Sequence, residues 1–137
     1  MKRYIIVSII SGFLFGTMDA LINANPFAQQ LLEVYEPLAK TSINAPAGIV
    51  IDLLYGFLLG ALFLMLYKSL PGKSGIKKGL VFALILWFLR VFMSVASTWM
   101  MMEVPVVTLL YILATGLVEM IILGIIYGAF LKPIKNN

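Results

Sequence analysis

The 137-residue chain contains no cysteine and no histidine, and only 12% of its residues are charged. The two missing residue types exclude disulfides, thiol chemistry, Cys/His zinc sites and histidine-based acid–base catalysis. A soluble domain carries about 25% charged residues. With 62% hydrophobic residues and a mean hydropathy of +1.05, this chain has too few polar side chains to cover a water-exposed surface. The composition predicts an integral membrane protein without a resident metal or cofactor.

Long apolar runs predict four transmembrane helices, at about 4–24, 47–67, 79–101 and 106–131. At ~1.5 Å per residue, each run is long enough to cross a ~30 Å hydrocarbon core. This length also favours a membrane span over a cleaved signal peptide for the first run. The expected fold is an all-α, integral membrane four-helix bundle that forms a single transmembrane domain over residues 1–137.

Basic residues lie almost entirely on one side of these spans. That side holds Lys2, Arg3, Lys68, Lys73, Lys77, Lys78, Lys132 and Lys135. The opposite side has only Lys40. Because lysine and arginine collect in cytoplasmic segments, we expect both termini in the cytoplasm and the spans in the plasma or inner membrane. Anionic lipid head groups are the expected partner of these charges, and nucleic acid is not.

The one long loop, residues 26–46, follows the first span on the outer side. Its first half has apolar residues at roughly helical spacing, and Asn25 and Pro26 are suited to begin a helix. We expect a short helix in the outer membrane interface. It is either an ordinary connector or a cover over something beneath it.

A glycine pattern in the second span recurs in the fourth at one constant offset. The matching residues are Gly48, Gly56 and Gly60, and then Gly116, Gly124 and Gly128. Spans one and three align less well, with Phe13 matched to Phe88 and Met18 to Met93. This pattern favours two parallel helical-hairpin repeats within the bundle. Small residues at such spacing also permit self-association, so a homo-oligomer or membership of a larger membrane complex is expected.

Each span carries one ionisable residue deep in its apolar run: Asp19, Asp52, Arg90 and Glu119. Counted from the cytoplasmic boundary at ~1.5 Å per residue, they lie at ~22, ~24, ~18 and ~20 Å. A charge near the bilayer centre costs roughly 2.5–3.5 kcal/mol, so the four side chains should point into the bundle and meet. Arg90 stays charged and therefore needs an acidic partner.

Three acids against one base leave an excess of two negative charges. At least one carboxyl group should then be protonated, or the site should take up a cation. Asn23, Ser94 and Thr115 lie near the four charges and complete the candidate set for ligand or ion binding. Because Glu119 lies on the opposite face of its helix from Gly128, it faces either its own bundle or a second subunit.

Two functional hypotheses follow. The first is proton- or cation-coupled transport or conduction through an outward-facing polar pocket. The alternative is an accessory or structural subunit of a larger membrane complex, in which the buried charges only fix the helix register. An intramembrane enzyme is a weaker third hypothesis, because no nucleophile or metal motif accompanies the acids. A copper(I) site at Met100–Met102 is also weak, because consecutive helical residues point in different directions.

Overall fold

Residues 1–132 are the part of the chain that the computed structural model describes, and they are helical almost throughout. The α-helices are α1 (Lys2–Ala24), α2 (Pro26–Leu32), α3 (Ala45–Leu66), α4 (Gly75–Met101) and α5 (Val106–Phe130). A 3₁₀ helix, Glu33–Leu38, continues from α2. Lys135 and the C-terminus lie outside the described residues, and the orientation of the termini remains a prediction.

Helices α1, α3, α4 and α5 are each long and apolar enough to cross a membrane. The prediction of an all-α four-helix bundle is therefore confirmed, and the chain is a multi-pass membrane protein. Two spans begin earlier than predicted because capping side chains precede them. The Asn44 side chain accepts a hydrogen bond from the Ala47 N–H at 3.2 Å, and Ser74 accepts one from the Lys77 N–H at 3.2 Å.

The bundle consists of two hairpins, because α1 packs mainly on α3 and α4 mainly on α5. Glycine lets the helix backbones touch in both hairpins. A Cβ at Gly12 would lie 2.8 Å from the Asp52 carbonyl oxygen, and one at Gly56 would overlap the Ser8 carbonyl oxygen. In the second hairpin Gly79 and Gly124 meet backbone to backbone. Packing of this kind holds helices together in lipid, where the hydrophobic effect between helices is absent.

The helix contacts of the two hairpins are alike. A Cβ at Gly56 would overlap the Ser8 carbonyl oxygen, and one at Gly124 would overlap the Gly79 carbonyl oxygen. These contacts align Gly79 with Ser8 and Gly124 with Gly56, which lie 71 and 68 residues apart in the sequence, as expected of a parallel repeat. The pattern of apolar residues in the sequence predicted a different alignment of spans one and three, with Phe13 matched to Phe88. The glycine contacts do not support that alignment. Backbone contact between small residues sets the register, whereas similar runs of Phe, Leu and Met arise by chance.

The two hairpins are joined mainly by α1 and α5. Tyr127 of α5 is fully buried, and its hydroxyl donates to Ser11 Oγ at 2.9 Å while lying 3.2 Å from the Gly56 carbonyl oxygen. The rings of Phe63 and Phe82 pack around it, with centroids 6.1 and 6.4 Å from that of Tyr127. This aromatic core closes the half of the bundle that contains the N-terminus.

The short helix predicted in the outer loop is present as α2, and it packs down onto α5. Ala28 of α2 is completely buried. The Thr108 hydroxyl donates to the Leu31 carbonyl oxygen at 2.8 Å. Phe27 and Tyr111 meet edge to face at 5.8 Å between ring centroids. Helix α2 therefore covers one end of the bundle and is more than a connector.

Substitution Gly56→Ala should lower the free energy of unfolding by roughly 1–3 kcal/mol, because the added methyl group overpacks the α1–α3 crossing. The matched control is Gly48→Ala in the same helix, where nothing lies within 4 Å of an added Cβ. That control should leave stability unchanged or slightly raised. Denaturant unfolding in detergent measures both. Equal losses in the two variants would contradict the glycine contact.

Candidate functional site

Arg90 of α4 contacts all three of the other spans. Its Nη1 atom lies 3.7 Å from Glu119 Oε2 on α5. Its Cζ atom lies 4.8 Å from the ring centroid of Phe15 on α1 and 4.9 Å from that of Tyr55 on α3. The rings of Phe15 and Tyr55 stack on each other at 5.1 Å. The guanidinium thus contacts one carboxylate and two aromatic rings. The carboxylate and the rings each favour its charged form.

Arg90 lies in a π-helical segment, Trp87–Phe92, in the middle of α4. Such segments are rare, and they occur often at functional sites. The wider turn changes the direction in which the following residues point. The Trp87 indole N–H donates to the Leu113 carbonyl oxygen of α5 at 2.9 Å and fixes this segment against its neighbour. Nothing in the uniformly apolar sequence around Arg90 predicts the π turn.

Glu119 is 5% exposed, the most buried of the charged residues in the described part of the chain. One of its oxygens, Oε2, faces Arg90. The other, Oε1, is buried and has no hydrogen-bond partner among residues 1–132. A buried acceptor without a partner costs about 1–3 kcal/mol, and more when it is charged. Such an atom marks a place where a proton or a ligand is expected.

A cavity of about 150 Å³ adjoins Glu119. At ~30 Å³ per water molecule it has room for about five. Its polar lining consists of Asp19, Asn23, Arg90, Tyr111, Thr115 and Glu119. Most of the remaining wall is apolar, and Leu32 of α2 forms part of it. The cover suggested for the outer loop therefore lies over this cavity.

Five of the seven predicted site residues line the cavity: Asp19, Asn23, Arg90, Thr115 and Glu119. The acidic neighbour that Arg90 needed is Glu119. The Asn23 amide donates to Asp19 Oδ1 at 3.2 Å and to the Asp19 carbonyl oxygen at 2.8 Å. Glu119 faces its own bundle, which answers the question of the second subunit for this side chain.

The structure does not bring Asp52 and Ser94 into the cavity lining. Asp52 packs against Gly16 where α1 and α3 cross, and it lines a separate groove of about 380 Å³ between those helices. Ser94 lies on an exposed side of α4. Residue counting could not predict the direction in which each of these side chains points.

Three aromatic residues of the site were not predicted. Phe15 is one helical turn from Asp19, Tyr55 is three residues from Asp52, and Tyr111 is one turn from Thr115. A spacing of three or four residues places two side chains on the same face of a helix, so this spacing from the predicted site residues could have identified the three aromatic residues. The Tyr111 hydroxyl donates to the Ile22 carbonyl oxygen at 2.6 Å and accepts from Asn25 Nδ2 at 3.1 Å. Tyr111 therefore ties the end of α1 to α5 above the cavity.

Substitution Arg90→Leu should destabilise the protein by about 3 kcal/mol, because it leaves the Glu119 carboxylate buried without a counter-charge. This is the lower end of the range for a buried pair, since the Arg90 side chain is 37% exposed. The double variant Arg90→Leu/Glu119→Leu should recover most of the loss. The free energies of unfolding of Arg90→Leu, Glu119→Leu and the double variant, compared with the wild type, complete this double-mutant cycle. Wild-type stability in Arg90→Leu would show that the pair contributes nothing.

Comparison with curated proteins and with solved structures finds no match. A family described as "Family of unknown function (DUF6789)" matches residues 5–135. The match includes all four spans, α2 and every residue of the cavity lining. The chain belongs to the DUF6789 family.

Proposed function

We propose that this protein binds and transports protons or small cations through the cavity beside Glu119. The observation that carries the proposal is Glu119 Oε1, a buried carboxylate oxygen at the cavity without a partner among the described residues. A proton on this oxygen, or a cation next to it, would supply the missing interaction. The intramembrane position of Glu119 supports the same reading, because charged groups inside spans are costly and commonly serve transport.

The charges around the cavity support a positively charged cargo. Asp19 and Glu119 line it against the single positive charge of Arg90, which leaves one excess negative charge. Because an unbalanced charge is strongly disfavoured in a low-dielectric site, a proton or a monovalent cation stabilises this arrangement. An anion would add to the imbalance.

The exposure of the lining supports access from one side. Asp19 and Asn23, near the end of α1 that leads into α2, are exposed, whereas Glu119 is buried. On the other side of Glu119, the side chains of Met120, Leu123 and Tyr127 close the bundle. The arrangement corresponds to an outward-facing state with a closed inner half. Transport would then require the two hairpins to move against each other, as repeats do in alternating access.

In proteoliposomes, an imposed pH or cation gradient should drive a flux that Glu119→Gln slows at least tenfold. The substitution keeps the shape of the side chain and removes its ability to carry a proton or a charge. Glu103→Gln, which changes an acid in the α4–α5 loop, is the matched control and should leave the flux unchanged. Asp52→Asn should slow it less than Glu119→Gln does. A normal flux in Glu119→Gln would contradict the proposal.

A second role, as a subunit of a larger membrane complex, is favoured by the position of Asp52. This carboxylate lies in the α1–α3 groove, outside the lining of the cavity, and it is only partly buried in the isolated chain. Such groups are normally covered by protein. Asp52→Leu should then reduce the size of the complex in native gels of mild-detergent extracts, while the purified chain remains folded. An unchanged size would count against this role.

A further inference from the structure

The cavity beside Glu119 offers hydrogen-bond acceptors, and three of its polar side chains already use their own donors within the protein. The Thr115 hydroxyl donates to the Tyr111 carbonyl oxygen at 2.8 Å. The Tyr111 hydroxyl donates to the Ile22 carbonyl oxygen, and the Asn23 amide donates to Asp19. These three polar side chains have no N–H or O–H group left that would favour an acceptor ligand.

Acceptor capacity remains in the same lining. Glu119 Oε1 has no partner within residues 1–132. A carboxylate oxygen and a hydroxyl oxygen each have more than one lone pair, so Asp19 and Thr115 can accept further hydrogen bonds. The Arg90 guanidinium also lines the cavity, and its charge faces Glu119 Oε2 and the rings of Phe15 and Tyr55. The interaction that this lining lacks is a hydrogen bond to Glu119 Oε1, and only a ligand that donates can supply it.

A bare metal ion fits this lining poorly. Hard cations are surrounded by about six or more oxygen ligands. Within the part of the chain that the structure describes, no three side chains of the types Asp, Glu, His or Cys are grouped to hold a metal ion. A cation with N–H groups needs fewer oxygen atoms around it, because each N–H group directs its hydrogen bond at one acceptor.

Size and wall chemistry narrow the choice. The cavity of about 150 Å³ suits a small ligand, since a cavity of that volume holds a molecule of about the size of benzene. Ile22, Leu32, Val91 and Ile112 supply the apolar part of its lining. Small-molecule sites commonly combine such a wall with a few convergent polar atoms. A short alkyl group would contact this wall while the charged head faces Glu119 Oε1.

We propose that the cargo of this site is a small cation with N–H donors, either ammonium or methylammonium. This inference rests on the proposed function and specifies its ligand. The N–H groups of the ion donate to Glu119 Oε1 and to Asp19, and its single positive charge balances the excess negative charge of the lining. Potassium, which matches ammonium in charge and size but has no N–H donors, binds at least tenfold more weakly.

The test is equilibrium binding to the full chain in detergent at constant pH and ionic strength. Binding is measured by the shift in thermal unfolding and by the change in tryptophan fluorescence, to which Trp87 and Trp99 both contribute. The ligands are ammonium, methylammonium, potassium and sodium chlorides. The first two should stabilise the protein with at least tenfold higher apparent affinity than the last two. Glu119→Gln should abolish the difference, and Glu103→Gln should keep it. Asp19→Asn, which changes an exposed position, serves as a second variant in case Glu119→Gln fails to fold.

The outcomes separate this inference from the proposed function. Equal binding of potassium and ammonium that depends on Glu119 would overturn the ammonium assignment and leave cation binding in place. Absence of cation binding together with a Glu119-dependent proton flux in proteoliposomes would also overturn the assignment, with the proton as cargo. Absence of both binding and flux would overturn the two proposals together.

Discussion

A charge inside a lipid bilayer must find its compensation within the protein, and in this chain that requirement converges on Arg90. Its guanidinium contacts a carboxylate on α5 and aromatic rings on α1 and α3. One group thereby links all four spans, whereas the hairpins otherwise meet mainly through α1 and α5. The position of Arg90 therefore determines where the second hairpin lies against the first, and where the cavity can form.

The bundle differs in its two halves, and the difference has a simple physical cause. In the half with the N-terminus, glycine contacts and the Phe63–Phe82–Tyr127 cluster bring the helices close and leave little space. In the other half, charged and polar side chains hold the helices around a cavity, and α2 covers it. Close packing gives the rigid frame, and the looser half provides room for a ligand.

Much of this arrangement could be predicted from the sequence, because lipid imposes strong rules on it. Hydropathy placed the spans, and the cost of a buried charge required an acidic partner for Arg90, which is Glu119. What could not be predicted depends on direction around the helix axis. The π turn near Arg90 and the packing of Asp52 against Gly16 are set by contacts between helices. An almost uniformly apolar sequence has no periodicity that would reveal these directions.

The two hairpins are alike in their helix contacts and different in charge. In the alignment that the contacts define, Ser8 corresponds to Gly79 and Gly56 to Gly124. Arg90 then corresponds to Asp19, and Glu119 to Ile51. An assembly of two identical hairpins would carry the same charge at both equivalent positions. A site that sets one arginine among acids therefore requires a chain whose two halves differ.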